Sequence, residues 1–323
     1  MEKTEEKLIT SGTNETAEDD LQIAGPWKPQ IKYSYAFTLL YFHAAAAYGI
    51  YLALTSAKWQ TNLFAYAMFW LSGIGIFAGA HRLFSHKTYK ASKPLEVFLM
   101  LCQSLAYQKS LVTWILDHRL HHQYSDTDGD PHNPSRGFFF AHIGWVLCKK
   151  HPSAVKRAKQ IDMSDVYSNP ILMFQMKHQV WFLPTIAFFI PTLIPMIYWN
   201  ESFVNSWHVN MARYIINLHL TFVINSISHR WGTKRYDKSK RATGSLLITL
   251  AAFGEGSHNY HHVFPHDYRG AELGTGFLNF ITYFIDFCAL LGLAYDRKTV
   301  SDEVVKARVA RTGDGTGLYG YKF

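Results

Sequence analysis

The chain has 323 residues, with 32 Lys and Arg against 24 Asp and Glu, a formal charge of +8 and 17 histidines. Aromatic residues at 16% and charged residues at only 17% point to an integral membrane protein, while a mean hydropathy of −0.07 means that long polar stretches lie in water. The basic excess would suit nucleic acid in a soluble protein; in a membrane protein it suits anionic headgroups and an anionic substrate, and no nucleic-acid role is expected.

The first 22 residues are rich in Glu, Thr, Asn and Asp and carry neither a basic n-region nor an apolar core. Residues 1–25 therefore read as a disordered cytosolic tail rather than a signal peptide or anchor. Residues 33–54, 62–80, 180–199 and 208–228 approach the ~20 apolar residues that a bilayer core demands, the last weakened by Arg213 and His219. They pair as two hairpins. The connections 55–61 and 200–207 hold Lys58 as their only basic residue, whereas residues 82–177 hold 13 Lys and Arg, which puts the long connection and both termini in the cytosol. Residues 95–115 are apolar but interrupted by Gln103, Gln108, Lys109 and Thr113, and read as a helix in the interface or under a cytosolic domain, as do 246–253 and 278–293. The expected architecture is all-α: a stem of four transmembrane helices, a helical cytosolic cap over 81–177 and 229–297, and a polar C-terminal tail over 298–323. Cys102, Cys148 and Cys288 form no disulfide framework and no CxxC motif. Asn200-Glu201-Ser202 is a glycosylation sequon so close to the membrane that no glycan is expected.

Three histidine clusters sit just outside the apolar segments, all on the cytosolic side: His81-x4-His86, His118-x2-His121-His122 and His258-x2-His261-His262. With 17 His in the chain, one HxxHH triple is expected by chance roughly 0.05 times, so two copies beside an HxxxxH are a strong signal. On an α-helix, positions i, i+3 and i+4 share a face, so each triple can present three imidazoles to one cavity. His81 and His86 are five apart, about 140° round an α-helix, which predicts that at least one of them lies past the end of the second span, where the chain can bend back. His229 is a ninth candidate, with Asn225 one turn earlier on the same face. Nine nitrogen donors exceed what one ion holds, so two metals are implied, and imidazole ligation without thiolate suits redox iron that binds dioxygen. Asp126, Asp128, Asp130, Glu255 and Asp267 flank the boxes, either orienting ring N–H groups or standing as solvated charges. The other eight histidines, His43, His132, His142, His151, His178, His208, His219 and His266, read as ordinary core or surface residues.

HRLFSH, HRLHH followed by QYSDTDGDPHNPSRGFFFAHIGW, INSISHRWG and GEGSHNYHHVFPHDY together resemble the membrane-bound acyl-CoA desaturases, most closely the insect type, over about residues 26–295. The resemblance implies a mushroom-shaped fold with a dinuclear iron centre of two Fe2+ in the cap. It implies His81, His86, His118, His121, His122, His229, His258, His261 and His262 as direct ligands, with Asn225 joining through a water. A long-chain acyl-CoA would gain a cis double bond of delta-9 or delta-11 type at the endoplasmic reticulum membrane, dioxygen being reduced to water. The electrons would come from cytochrome b5 and its reductase, and the chain lacks the HPGG signature of a fused cytochrome. An unactivated methylene C–H bond resists acid, base and nucleophile, so no catalytic side chain beyond the metal centre is expected. By family position, Gln108, Trp114 and Thr221 line the bend of the acyl tunnel, Phe69 and Gly73 its far end, while Lys149, Lys150 and Asp117 meet the coenzyme A moiety.

Departures fall at Leu116, where many relatives carry Arg, at residues 239–245 after Tyr236-Asp237-Lys238, and at Ser257, often bulkier. Such divergence resembles the specialised desaturases of moth pheromone synthesis. Competing readings are a histidine-box fatty acyl hydroxylase and, outside enzymes, a metal transporter or metal-binding membrane protein. Transport needs ionisable groups along a path through the bilayer, whereas these clusters stop at one face.

Overall fold

A computed structural model describes residues 27–272 and 278–317. The tail expected over residues 1–25 lies outside the described residues, as do residues 318–323 at the end of the expected C-terminal tail. The described chain is helical, with one two-residue antiparallel strand pair, Lys90–Ala91 against Ala294–Tyr295. Helices α1 (Tyr33–Thr55), α2 (Trp59–Ser85) and α5 (Pro170–Trp199) are long and apolar enough to cross a membrane. α6 (Phe203–Ser226) has 24 residues, about 36 Å, but is studded with polar groups. Its packing explains them: α6 lies against α1, α2 and α5, so protein rather than lipid covers it. Gly49 of α1 lets the two backbones touch, since a Cβ there would stand 1.9 Å from the His208 carbonyl oxygen.

Arg213, buried in α6, shows how the polar groups are used. Its guanidinium donates to Asn210 Oδ1 at 2.8 Å, Ser72 Oγ at 2.9 Å, and the carbonyls of Leu105 and Ala187 at 3.0 Å each. The Ala187 carbonyl sits in a π-helical turn, Thr185–Phe189, where the α-helical ladder is interrupted. One cation thus ties α6 to α2 and α5 and to the end of α3 (Lys93–Ala106).

Three sequence expectations change. The helix expected over 95–115 is two, α3 and α4 (Leu111–Tyr124), broken where Tyr107 and Lys109 adopt φ of 51° and 67°. The polar residues that interrupt the apolar run stitch this break: Gln103 Nε2 donates to the Lys109 carbonyl at 3.0 Å, and Gln175 Oε1 accepts from Leu111 N at 2.7 Å. Secondly, α5 begins at Pro170, ten residues before the apolar segment, with Asn169 capping Ile171 N at 3.0 Å. Thirdly, the polar C-terminal stretch contains a docked helix. Numbering the later helices α7 (Leu246–Ala251), α8 (His258–Val263), α9 (Phe280–Leu290) and α10 (Asp302–Thr312), α10 sends Val305 into a cluster with Tyr236, Tyr260 and Phe264. Arg308 of α10 also pairs with Asp237 at 2.5 Å.

Candidate metal centre and substrate cleft

Each histidine box arrives on a different element. The end of α2 is a π-helix, Gly75–Ser85, closed by an i→i+5 bond from His86 N to the His81 carbonyl at 3.2 Å. That wider winding brings residues five apart much closer to one face than the roughly 140° of an α-helix, and His81 and His86 meet edge-on with ring centroids 5.1 Å apart. His86 does lie one residue past the helix end, as the spacing predicts, while His81 lies within the helix. α4 carries His118, His121 and His122; α8 carries His258, His261 and His262; His229 ends the 3-10 turn Ile227–His229 that closes α6.

The nine rings converge as two sets. His81, His86, His118, His122 and His261 form one, and His121, His229, His258 and His262 the other, with ligand atoms of each set all within 4.8 Å of one another. Their Nε2 atoms face inward: His86 to His118 at 2.8 Å, His81 to His261 and His229 to His258 at 2.9 Å, His122 to His261 and His258 to His262 at 3.0 Å, and His121 to His262 at 3.3 Å. Three of the outward nitrogens face carboxylates. His121 Nδ1 is 2.9 Å from Asp130, His229 Nδ1 3.4 Å from Asp126, and His81 Nδ1 3.5 Å from Glu255. A proton held at Nδ1 leaves the Nε2 lone pair pointing inward, and lone pairs converging at these distances are what a cation satisfies. Burial, the largest influence, holds His118, His122, His258, His261 and His262 well below the ordinary imidazole value, and takes His86 to about 3. Neutral rings at pH 7 are the ligating form.

Two arginines fix the boxes relative to one another. Arg82 donates to Glu255 at 2.5 Å, to Thr282 Oγ1 at 2.9 Å and to the Tyr268 carbonyl at 2.8 Å, joining α2 to α9 and to the chain on either side of α8. Arg119, between His118 and His121, makes a two-pronged pair with Asp165 at 2.8 and 2.9 Å while donating to the Phe84 and Ser85 carbonyls at the end of α2. Of the other expected carboxylates, Asp128 pairs with Arg136, and Asp267 with Arg269, away from the rings.

A partly open cleft lies beside the five-histidine set and is lined by Gln108, Trp114, Asp117, His118, Thr221 and Asn225 among others. Trp114 stacks on His118 with centroids 5.0 Å apart and planes at 21°. Gln108 Nε2 donates to Thr221 Oγ1 at 2.9 Å and to Asn217 Oδ1 at 3.3 Å, a polar seam in a wall otherwise built from Leu39, Tyr214, Leu218 and Phe222. Phe69 and Gly73 do not line this cleft. That face of α2 packs on Phe253, whose ring lies 5.2 Å from Phe69 and would stand 2.3 Å from a Cβ at residue 73. Lys149 and Lys150 line a separate open groove with Trp27, Lys28, Lys156 and Lys159. Lys150 pairs with Asp117, whose other oxygen takes Lys109 Nζ at 2.8 Å, so an ion-paired trio stands between groove and cleft.

Sequence reasoning missed several residues here. Lys109 lines the cleft and lies 4.4 Å above the Trp145 ring, and only its left-handed backbone brings it there. His132, set among ordinary histidines, lies against His121 with centroids 4.3 Å apart, shares Asp130, and lines the cleft; its place two residues after Asp130 was the available signal. Leu116 turns its side chain onto the main apolar core.

Apolar membrane-length helices ending in two sets of inward-facing imidazoles beside a mostly apolar cleft define a histidine-box membrane protein. The chain belongs to the fatty acid desaturase family, whose model, described as Fatty acid desaturase, matches residues 57–269. It is 57% identical over 291 residues to an acyl-CoA Delta(11) desaturase of Trichoplusia ni, covering 90% of this chain and 83% of that protein. A Spodoptera littoralis acyl-CoA Delta(11) desaturase is 52% identical over 320 residues, 99% of this chain and 92% of that one. An acyl-CoA Delta-9 desaturase of Acheta domesticus is 49% identical over 292 residues, 90% and 81% of the two chains.

Proposed function

We propose that this chain is an acyl-CoA desaturase that inserts a cis double bond of delta-9 or delta-11 type into a long-chain acyl-CoA, with two electrons and dioxygen consumed per double bond. The observation that carries the reading is the Trp114–His118 stack, which sets the wall of a mostly apolar cleft one ring away from a five-imidazole cluster. Two Fe2+ ions are the fitting occupants, one held by His81, His86, His118, His122 and His261 and the other by His121, His229, His258 and His262, with Asn225 contributing through a water. Bound there, the iron pair supplies the oxidising power that an unactivated methylene demands.

The protein supplies position and dryness. Leu39, Tyr214, Leu218 and Phe222 take up methylenes and keep water from them, while the Gln108–Thr221 bond fixes the polar seam against which the acyl chain turns. Trp114 holds one stretch of that chain against His118. The anionic coenzyme A end meets the lysine groove at Lys149 and Lys150, and Asp117 with its two lysines orders the passage between groove and cleft. Asp130 accepts the Nδ1 proton of His121 and fixes its tautomer, while Asp126 and Glu255 face the Nδ1 atoms of His229 and His81 at 3.4 and 3.5 Å.

In this reading α1, α2, α5 and α6 cross the endoplasmic reticulum membrane with both termini cytosolic, and a separate cytochrome b5, recharged by its reductase, docks on the cap. Expression in a desaturase-deficient yeast, followed by chromatographic location of new double bonds, tests the proposal. Cis-monounsaturated acyl chains are expected; hydroxylated chains without new double bonds would turn the assignment to the hydroxylase reading, and unchanged lipids would remove both.

A further inference from the structure

Away from the metal cluster, three half-buried histidines form a single row. His43 Nδ1 on α1 lies 2.7 Å from the Leu39 carbonyl, and His43 Nε2 lies 2.9 Å from His219 Nε2 on α6. The other nitrogen of His219 is 2.9 Å from His142 Nε2, and His142 Nδ1 is 2.9 Å from Ser226 Oγ. The Ser226 hydroxyl stands 2.9 Å from the Phe222 carbonyl. Five links therefore join one backbone carbonyl to another.

Each link needs one hydrogen, and the carbonyl at either end only accepts. Neutral, the three imidazoles bring one N–H apiece and the serine one O–H, four hydrogens for five links. Any neutral arrangement leaves one link as opposed lone pairs at less than 3 Å, a contact that repels. One added proton turns a ring into imidazolium, which donates from both nitrogens and completes the row.

We infer that His43, His219 and His142 together form a proton-binding site that holds one excess proton in common. The surroundings bear on its strength from both sides. The His142 ring lies parallel to Phe138 at 5.5 Å and nearly coplanar with His219, edge to edge, and meets Phe222 edge-on at 6.1 Å. Burial is the larger influence and lowers the pKa of His142, an effect the Phe222 carbonyl offsets only in part. Among the described residues no carboxylate pairs with any of the three rings; from α1, α6 and the segment around residue 142 the titratable groups facing the row are the histidines themselves. Arg230 reaches toward it only as far as Trp231, which stands behind Phe138.

The location gives the proton a use. Both end carbonyls belong to residues that line the cleft, Leu39 and Phe222, and Ser226 follows Asn225 in the cleft wall. Desaturation reduces one dioxygen to two waters with two electrons, two substrate hydrogens and two protons, so protons must be drawn toward this wall in every turnover. That use rests on the function proposed above; the existence of the site does not.

Histidine side-chain nitrogen-15 NMR of the full-length, zinc-loaded protein in nanodiscs at about pH 7 counts the doubly protonated rings directly. The wild type is expected to show one more imidazolium than either His43→Phe or His219→Leu, because each substitution leaves as many hydrogens as links. A thermal unfolding scan of each variant establishes that it is folded, and two variants guard against loss of one. Equal imidazolium counts in the wild type and a folded His43→Phe or His219→Leu protein would overturn the site, whatever the activity assay reports.

Discussion

Each buried imidazole in the cluster has two nitrogens, and the chemistry depends on which one carries the proton. For His121 the choice is made by Asp130, 2.9 Å from Nδ1 and itself held by the backbone amides of His132 at 3.0 Å and Asp126 at 3.2 Å. Burial alone would raise the pKa of the Asp130 carboxyl, but its interactions with the His121 and His132 rings keep it well below the usual range. Asp130→Ala is expected to lower iron affinity 10–100-fold, about 1.4–2.7 kcal/mol, in a chelator-competition titration; unchanged affinity would make Asp130 a structural carboxylate only. His121→Ala removes one of four donors in its set and is expected to abolish unsaturated product in yeast, whereas retained product would contradict the ligand assignment. The HxxHH spacing makes the triples on α4 and α8 legible in the sequence alone, because i, i+3 and i+4 share an α-helical face. Lys109 is not legible there, since a 3.6-residue period says nothing of loops and it reaches the cleft from a left-handed residue, and His132 is marked only by its place two residues after Asp130.

At the scale of elements, the junction of α2 and α3 sets the first box. A Cβ at residue 75 would stand 2.2 Å from the Cys102 carbonyl carbon and the Gln103 nitrogen, which are backbone and cannot move alone. At residue 79 the nearest atom is the Leu99 Cβ at 3.2 Å, a contact that gives by a few tenths of an ångström. Gly75→Ala is therefore expected to cost about 3 kcal/mol or more, and Gly79→Ala about 1 kcal/mol or less. Thermal midpoints of the two detergent-purified variants check the order, and equal shifts would mean that α2 and α3 are free to separate. The same stretch explains why the geometry of the first box departs from its α-helical expectation. Composition reveals an apolar helix, but not that its last turns widen into i→i+5 bonds, which side-chain contacts with Arg119 and Tyr89 accompany: Tyr89 donates to the Ala78 carbonyl at 2.9 Å. Similarly, α5 looks short in the sequence because Gln175, Lys177 and His178 dilute its first half, although Asn169-Pro170 is a recognisable helix start.

Across the whole molecule, support for the third box reaches back from the C-terminal helix. α10 pairs Arg308 with Asp237, and Lys238 N donates to the Thr312 carbonyl at 2.9 Å. Asn259, between His258 and His261 in sequence, accepts from Tyr236 N at 2.9 Å and Asp237 N at 3.1 Å, and donates to the Ala242 carbonyl at 2.8 Å. Within the divergent residues 239–245, Ala242, Gly244 and Ser245 thus bond to α8 and the turn before it. Truncation after Val300 is expected to lower thermal midpoint and iron occupancy together; full occupancy in a truncated chain would reduce α10 to a passive tail. Hydropathy already marks all four long helices, α6 most weakly because its polar residues face protein, whereas α10 is hard to read because only Val305 and Val309 of its eleven residues pack on the cluster.

The division of nine imidazoles into a set of five and a set of four is the premise of the functional reading. Elemental analysis of the full-length protein, purified from iron-supplemented cells in detergent and divided by protein concentration from amino-acid analysis, tests it most directly. Two irons per chain are expected, falling below two in His86→Ala and in His258→Ala, one substitution in each set. A wild-type chain that binds a single ion, or none, would contradict the account.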